Sequence, residues 1–182
     1  MKDLARAAVF IGPGKPLTMQ QFALPELATG EMLVRVRCAT LCGSDLHTYF
    51  GRRETPCPTI LGHEILGHVA ALPPGGPLAD LAGKPLEVGD RVTWSIAASC
   101  GACFYCERGV PQKCERLFKY GHEAINDHHP LSGGLAEYCH LARGTSVLRV
   151  PESLPDEIAC PANCATATVA AALRVAGGCR DE

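Results

Sequence analysis

Cys100-Gly-Ala-Cys103-Phe-Tyr-Cys106, followed after seven residues by Cys114, constrains this chain more than any other feature of its sequence. Thiols this close along the chain meet on one short loop whatever the rest of the protein does. Four thiolates complete a tetrahedral shell around one zinc ion and leave no coordination position open, which is the pattern of a structural metal. The stretch at about 97–117 holds little else that could build a core, so the metal would keep it folded. An iron–sulfur cluster is the sharpest rival, because Cys-x2-Cys-x2-Cys also opens a bacterial ferredoxin motif. There the fourth cysteine follows after three residues and precedes proline. Here seven residues intervene and Glu115 follows Cys114, which favours zinc.

The chain carries 11 cysteines in 182 residues. A secreted disulfide framework is one way to use so many, but the number is odd and Arg6 interrupts a start too weakly apolar for a secretory signal. A cytoplasmic metal protein is the expectation. Cys38, Cys57, Cys139, Cys160 and Cys179 are expected to be plain buried or surface thiols, since free cysteine packs as a small hydrophobe. With 47% hydrophobic residues, one sizeable core is expected. The net charge of -2 gives no general attraction to nucleic acid or to an anionic membrane, and 5% aromatic residues give no base-stacking platform. The apolar runs are shorter than a membrane span.

The first 150 residues read as short strands. In Leu33-Val34-Arg35-Val36-Arg37-Cys38, apolar and charged residues alternate as a half-buried strand requires. Further strands are expected at Ala7–Ile11, Ile65–Leu72, Arg91–Ser95, Leu135–Leu141 and Ser146–Val150. Turns punctuate them at Pro73-Pro74-Gly75-Gly76-Pro77 and at Gly89-Asp90. This pattern predicts a mainly β barrel or sandwich over 1–150. From 151 to 182 the character turns helical: Pro155-Asp156-Glu157 opens one helix, and an Ala-rich stretch from Asn163 to Ala176 is stopped by Gly177 and Gly178.

A catalytic zinc needs three protein ligands and one vacant position. Cys42 in Cys42-Gly43-Ser44-Asp45-Leu46-His47, His63 in Gly62-His63-Glu64, and a late cysteine, Cys164 or Cys160, are candidates, though spacing alone does not single them out. His63-Glu64-Ile65-Leu66-Gly67-His68 superficially matches a zinc-protease helix. Its histidines stand five apart instead of four and would not share a helix face, and the segment reads better as a strand. Ser44 could instead cap a helical turn, and His47 could be an ordinary exposed helix residue.

Taken in order, the Cys42–His47 motif, Gly62-His63-Glu64 and the four-cysteine lobe, with Gly89-Asp90-Arg91-Val92 and Gly133-Gly134-Leu135-Ala136-Glu137-Tyr138, resemble the zinc-dependent medium-chain alcohol dehydrogenases over essentially the whole chain. Cys42-Gly43-Ser44-Asp45 and Asn163-Cys164-Ala165-Thr166 further resemble a subgroup linked to phosphonate catabolism. The resemblance implies a GroES-like barrel with a structural-zinc lobe and C-terminal linking helices. It implies two zinc ions per chain, one on Cys42, His63 and Cys164 and one on Cys100, Cys103, Cys106 and Cys114. It implies that Ser44 and His47 relay the substrate proton, that Asp45 orients His63, and that Glu64 approaches the metal during ligand exchange. The implied reaction is hydride transfer between a small alcohol or aldehyde and NAD or NADP, in a homo-oligomer when full length.

No Gly-x-Gly-x-x-Gly follows a predicted strand, so the Rossmann domain that would bind the dinucleotide is expected to be absent from this chain. The piece alone is expected to turn over no alcohol. A stand-alone zinc-binding or thiol redox-sensing module is the competing reading. It leaves Ser44, Asp45, His47 and Glu64 without a reason to gather around Cys42 and His63. Zinc-independent reductases of the same superfamily generally lack this cysteine and histidine pattern.

Overall fold

The computed structural model describes residues 3–75 and 78–177. Ten strands occur among them: β1 Leu4–Phe10, β2 Thr18–Ala23, β3 Met32–Thr40, β4 Thr59–Ile60, β5 Glu64–Ala71, β6 Arg91–Trp94, β7 Ala97–Ala98, β8 Phe118–Lys119, β9 Tyr138–Leu141 and β10 Val147–Arg149. The α-helices are α1 Gly43–Tyr49, α2 Phe104–Glu107, α3 Asp156–Ala159 and α4 Ala165–Val175. The strands form sheets ordered β2-β1-β4, β10-β6-β5-β3-β9 and β7-β8. Every strand pairing among the described residues is antiparallel, as in a barrel built from hairpins and unlike a strand–helix–strand dinucleotide fold. The mainly β expectation stands. No single helix among the described residues is long and apolar enough to cross a membrane.

The alternation in β3 predicts this strand's central place. Met32, Val34 and their neighbours turn apolar side chains inward, where Ile65, Val69, Val92, Trp94, Tyr120, Cys139 and Leu141 complete the main core. Strand β3 pairs on one side with β5, from Leu33 opposite Ala71 to Thr40 opposite Glu64, and on the other with β9. Gly67 lies on β5 where the ladder passes closest: a Cβ there would sit 2.4 Å from the carbonyl oxygen of Arg35. Only glycine permits that approach. A second cluster of Ala5, Ala7, Val9, Ile60 and Leu131 seals the β1 side.

The helical segment is tied on by a buried guanidinium. Arg91 on β6 donates to the carbonyls of Pro151 and Leu154, at 2.5 and 2.8 Å, and to Asp156 Oδ1 at 2.7 Å. Beneath it, Ala159 and Cys160 pack on Leu66 and Val150. From Cys160 to Asn163 the chain tightens into a 3-10 turn before α4 begins.

Several sequence expectations need correction. The strand expected from Leu135 to Leu141 starts only at Tyr138, because Gly133 to Glu137 forms a crossing segment whose amides bond to β1 and to the turn before β5. The first strand runs Leu4–Phe10 instead of Ala7–Ile11. Four strands went unforeseen: β2, whose side chains are mostly exposed, and the two-residue β4, β7 and β8. The expected turn at Pro73–Pro77 is described only through Gly75; Gly76, Pro77, Gly178 and Cys179 lie outside the described residues.

Candidate metal centres

The β3–β5 register builds the first site. With Thr40 opposite Glu64, the residues just beyond the end of β3 come beside those just before β5, which places Cys42 next to His63. Gly62, the residue before His63, turns the chain with φ of +89°, a conformation L side chains rarely adopt. Helix α1 starts at once after Cys42. Its cap is not Ser44: Cys42 occupies that position, and its backbone N–H donates to Asp45 Oδ2 at 2.9 Å. The other oxygen, Oδ1, accepts from the backbone N–H of Gly62 at 3.1 Å. One buried carboxylate thus pins both turns that carry the Cys42 and His63 side chains.

The third member arrives from the far end of the chain. Asn163 Nδ2 donates to the carbonyls of His63 and Trp94, at 2.9 and 2.8 Å, and so fixes the turn before Cys164. Cys164 Sγ then stands 3.5 Å from His63 Nε2. One ligand atom from each of Cys42, His63 and Cys164 lies within 4.8 Å of the others. A sulfur and an imidazole nitrogen sharing a tetrahedral zinc at ordinary bond lengths would stand roughly 3.6 Å apart. The donor set therefore fits zinc and leaves a fourth position over.

Cys160, the alternative to Cys164, is elsewhere. It is fully buried, with its thiol directed at the carbonyl of Glu64 at 3.3 Å. Burial pushes its pKa up to about 12.

The electrostatics push the two thiols of this cluster in opposite directions. Burial opposes ionisation of Cys42, but hydrogen bonds from the backbone and hydroxyl of Ser44 and from His63 outweigh it and leave its pKa lowered. Cys164 is pushed up to about 12, first by burial and then by the Cys42 charge. Burial would lower the His63 pKa, yet Asp45 and Cys42 raise it. Burial would likewise raise Asp45, yet His63 and the two backbone donors lower it. Asp45 Oδ1 lies 3.5 Å from His63 Nδ1, an ion-pair separation longer than a formed hydrogen bond. A cation shared by the two sulfurs would let both ionise.

The other expected residues lie on the elements that carry this cluster. Ser44 lies in the first turn of α1 against Cys42. Glu64 is buried and accepts from the hydroxyl of Thr40 at 2.7 Å. His47 is exposed on α1. Sequence reasoning missed His122, whose ring centroid is 5.2 Å from that of His63 and whose pKa falls to about 4, chiefly through burial. Nothing in Tyr120-Gly121-His122-Glu123 signals it. The role of Asn163 was missed too, although it adjoins Cys164.

The second site is the lobe. Cys100 Sγ and Cys106 Sγ are 4.0 Å apart, and Cys103 Sγ and Cys114 Sγ 3.9 Å, close to the roughly 3.8 Å edge of a zinc–thiolate tetrahedron. Backbone N–H groups of Cys100 and Arg116 donate to Cys114 Sγ. The Ala102 amide and neighbouring thiols and Arg116 lower Cys100 to about 6, whereas desolvation and the other thiols raise Cys106 to about 11. Between Gly101 and Glu115 only Cys103 and Cys114 are buried. The described cysteines form no disulfide.

Residues 28–152 match the family model for the alcohol dehydrogenase GroES-like domain. The chain belongs to this alcohol dehydrogenase family. It is 36% identical over 176 residues to an alcohol dehydrogenase of Geobacillus stearothermophilus, covering 94% of this chain and 48% of that one. With zinc-type alcohol dehydrogenase B of Aspergillus flavus it shares 34% over 155 residues, covering 84% and 33%. Among solved structures, an alcohol dehydrogenase from Thermotoga maritima superposes with a TM-score of 0.86 at 31% identity, covering 94% and 47%. An Escherichia coli alcohol dehydrogenase complexed with NADH gives 0.69 at 29%, covering 87% and 42%. The chain thus spans half or less of the length of these relatives.

Proposed function

We propose that this chain is the catalytic part of a zinc-dependent alcohol dehydrogenase that transfers hydride between a small alcohol or aldehyde and NAD or NADP. The convergence of Cys42, His63 and Cys164 on one point carries this reading, supported by the zinc-type relative and by the NADH-bound one. Residues 1–150 would form the catalytic domain and 151–182 would lead into a dinucleotide-binding domain.

In this reading Cys42, His63 and Cys164 hold the catalytic zinc, and Cys100, Cys103, Cys106 and Cys114 hold a structural one, two ions per chain. Bound zinc would supply Lewis acidity, polarising a carbonyl or acidifying an alcohol at the vacant position. Asp45, 3.5 Å behind the His63 ring, would favour a proton on Nδ1 electrostatically and so leave Nε2 to face the metal. Ser44, on the turn beside Cys42, would accept the alcohol proton, and His47, exposed on the same helix, would pass it to solvent. Glu64, held by Thr40, stands near Cys164 as a carboxylate for ligand exchange. The working enzyme would be a cytoplasmic homo-oligomer with no nucleic-acid or membrane partner. The kinship with the phosphonate-linked subgroup belongs to the same proposal.

The test is NAD(P)-dependent alcohol oxidation by the protein at its full natural length. Replacing Ser44 with alanine is expected to lower kcat by roughly 10²–10⁴, as loss of a proton-transfer group does. An unchanged kcat removes Ser44 from the relay. A protein that binds metal only in the lobe and oxidises no alcohol supports the thiol-module reading instead.

A further inference from the structure

Outside both cysteine clusters a third set of ligand-type side chains converges. One ligand atom from each of Glu31, His129 and His140 lies within 4.8 Å of the others. Glu31 precedes β3, His129 sits in the loop before β9, and His140 lies on β9, so β3–β9 pairing gathers them. No spacing rule in the sequence announces the group.

Its geometry is specific. His140 is buried at 1% exposure. Its Nε2 stands 3.0 Å from Glu31 Oε2 and its Nδ1 stands 3.3 Å from Nδ1 of His129. The His129 ring is packed against Phe118 and His140, each with a centroid separation of 4.8 Å. The His129 backbone N–H donates to Asn126 Oδ1 at 2.9 Å, which fixes the loop. A carboxylate at Nε2 keeps the proton of His140 on that nitrogen and leaves the Nδ1 lone pair facing His129. Two imidazole nitrogens bound to one tetrahedral divalent ion stand roughly 3.3–3.4 Å apart. The observed separation matches this bite, whereas it lies at the long edge of a simple hydrogen bond.

We propose that His129 and His140 form a further metal site, taking a divalent transition ion through their two Nδ1 atoms while Glu31 orients His140 from behind. Imidazole donors without a thiolate suit zinc or nickel. With two protein nitrogens the site binds more weakly than either cysteine cluster, and solvent completes the shell. The proposal uses no residue of the alcohol dehydrogenase reading and stands or falls separately from it.

The full chain, first loaded with zinc and desalted, is titrated with Zn2+ alone in a calorimeter. One further, weaker equivalent is expected. His129→Ala and His140→Ala abolish it, Glu31→Gln weakens it by roughly 10–100-fold, and His128→Ala, on the exposed side of the same loop, leaves it in place. His140 is buried in β9; if its variant fails to fold, the His129 variant decides. The proposal is overturned if the wild-type chain takes up no further equivalent, in which case the two rings share only a hydrogen bond. It is equally overturned if the step persists in His129→Ala.

Discussion

The two cysteine-containing centres of this chain are assembled in opposite ways. In the lobe, Cys100 and Cys114 are 14 positions apart, and the residues between them contribute almost no buried apolar surface. At the other centre His63 and Cys164 are 101 positions apart, and each is held by a strand register, a buried carboxylate or an asparagine anchored to two carbonyls. On the proposed reading the lobe depends on its metal to fold, and the other centre depends on the fold to bring its ligands together. Metal binding should be a stability term in one case and a readout of structure in the other.

Removing the lobe metal is expected to have the largest effect. Apparent free energies of about 10–16 kcal/mol attend structural zinc binding in small domains, and no core replaces them here. Chelation or Cys103→Ala should abolish amide-exchange protection between about Ser99 and Arg116 while β3, β5 and β6 stay protected. Loss of protection throughout the barrel would break the comparison.

Next comes Ile65→Ala. Ile65 is fully buried in the main core on β5, next to Glu64 and two residues from His63. The expected cost is about 2–5 kcal/mol in denaturant unfolding. Near the transition the variant should lose the Cys42–His63–Cys164 metal and keep the lobe metal for as long as the lobe stays intact.

Asp45→Asn should act more finely, weakening metal at the barrel centre by roughly 10–100-fold with little change at the lobe, as measured by competition with a chelator. In the metal-free chain the same variant has a pH signature. Asp45 is lowered and His63 raised in the folded state. The carboxylate contribution is present above about 3.9 and lost as pH falls through the lowered folded value; the imidazole contribution is present below about 6.5 and lost as pH rises through the raised one. The stability difference between wild type and variant should therefore be greatest between those two pH values and shrink on both sides. A difference independent of pH would dissolve the pair.

The smallest effect is chemical. In the metal-free chain Cys100, at about 6, should be alkylated faster at neutral pH than Cys106, at about 11, and metal should protect both. Mapping the modified peptides over time checks the order.

The same local-versus-distant contrast explains what the sequence disclosed. The lobe could be read directly because its geometry follows from spacing. Strand β3 could be read because Arg35 and Arg37 alternate with apolar neighbours. Strand β2 could not, since Gln20 and Gln21 on an edge leave no inward-facing pattern. The choice between Cys160 and Cys164 was also beyond spacing: Asn163 anchors the turn that brings the Cys164 thiol beside His63, whereas Leu66 and Ala159 bury Cys160, and this geometry supports Cys164 as the proposed ligand. His122 reaches His63 only through the path of the chain after β8, and no local pattern encodes that path.

The tightly bound zinc that each folded chain retains after desalting, which excludes the weaker histidine site, tests the central claim most directly. Wild type is expected to hold two ions, and Cys164→Ala one, with lobe protection and the barrel's unfolding midpoint preserved. Two ions retained in Cys164→Ala, or a single ion in the wild-type chain, would contradict the assignment of Cys42, His63 and Cys164 as one metal centre.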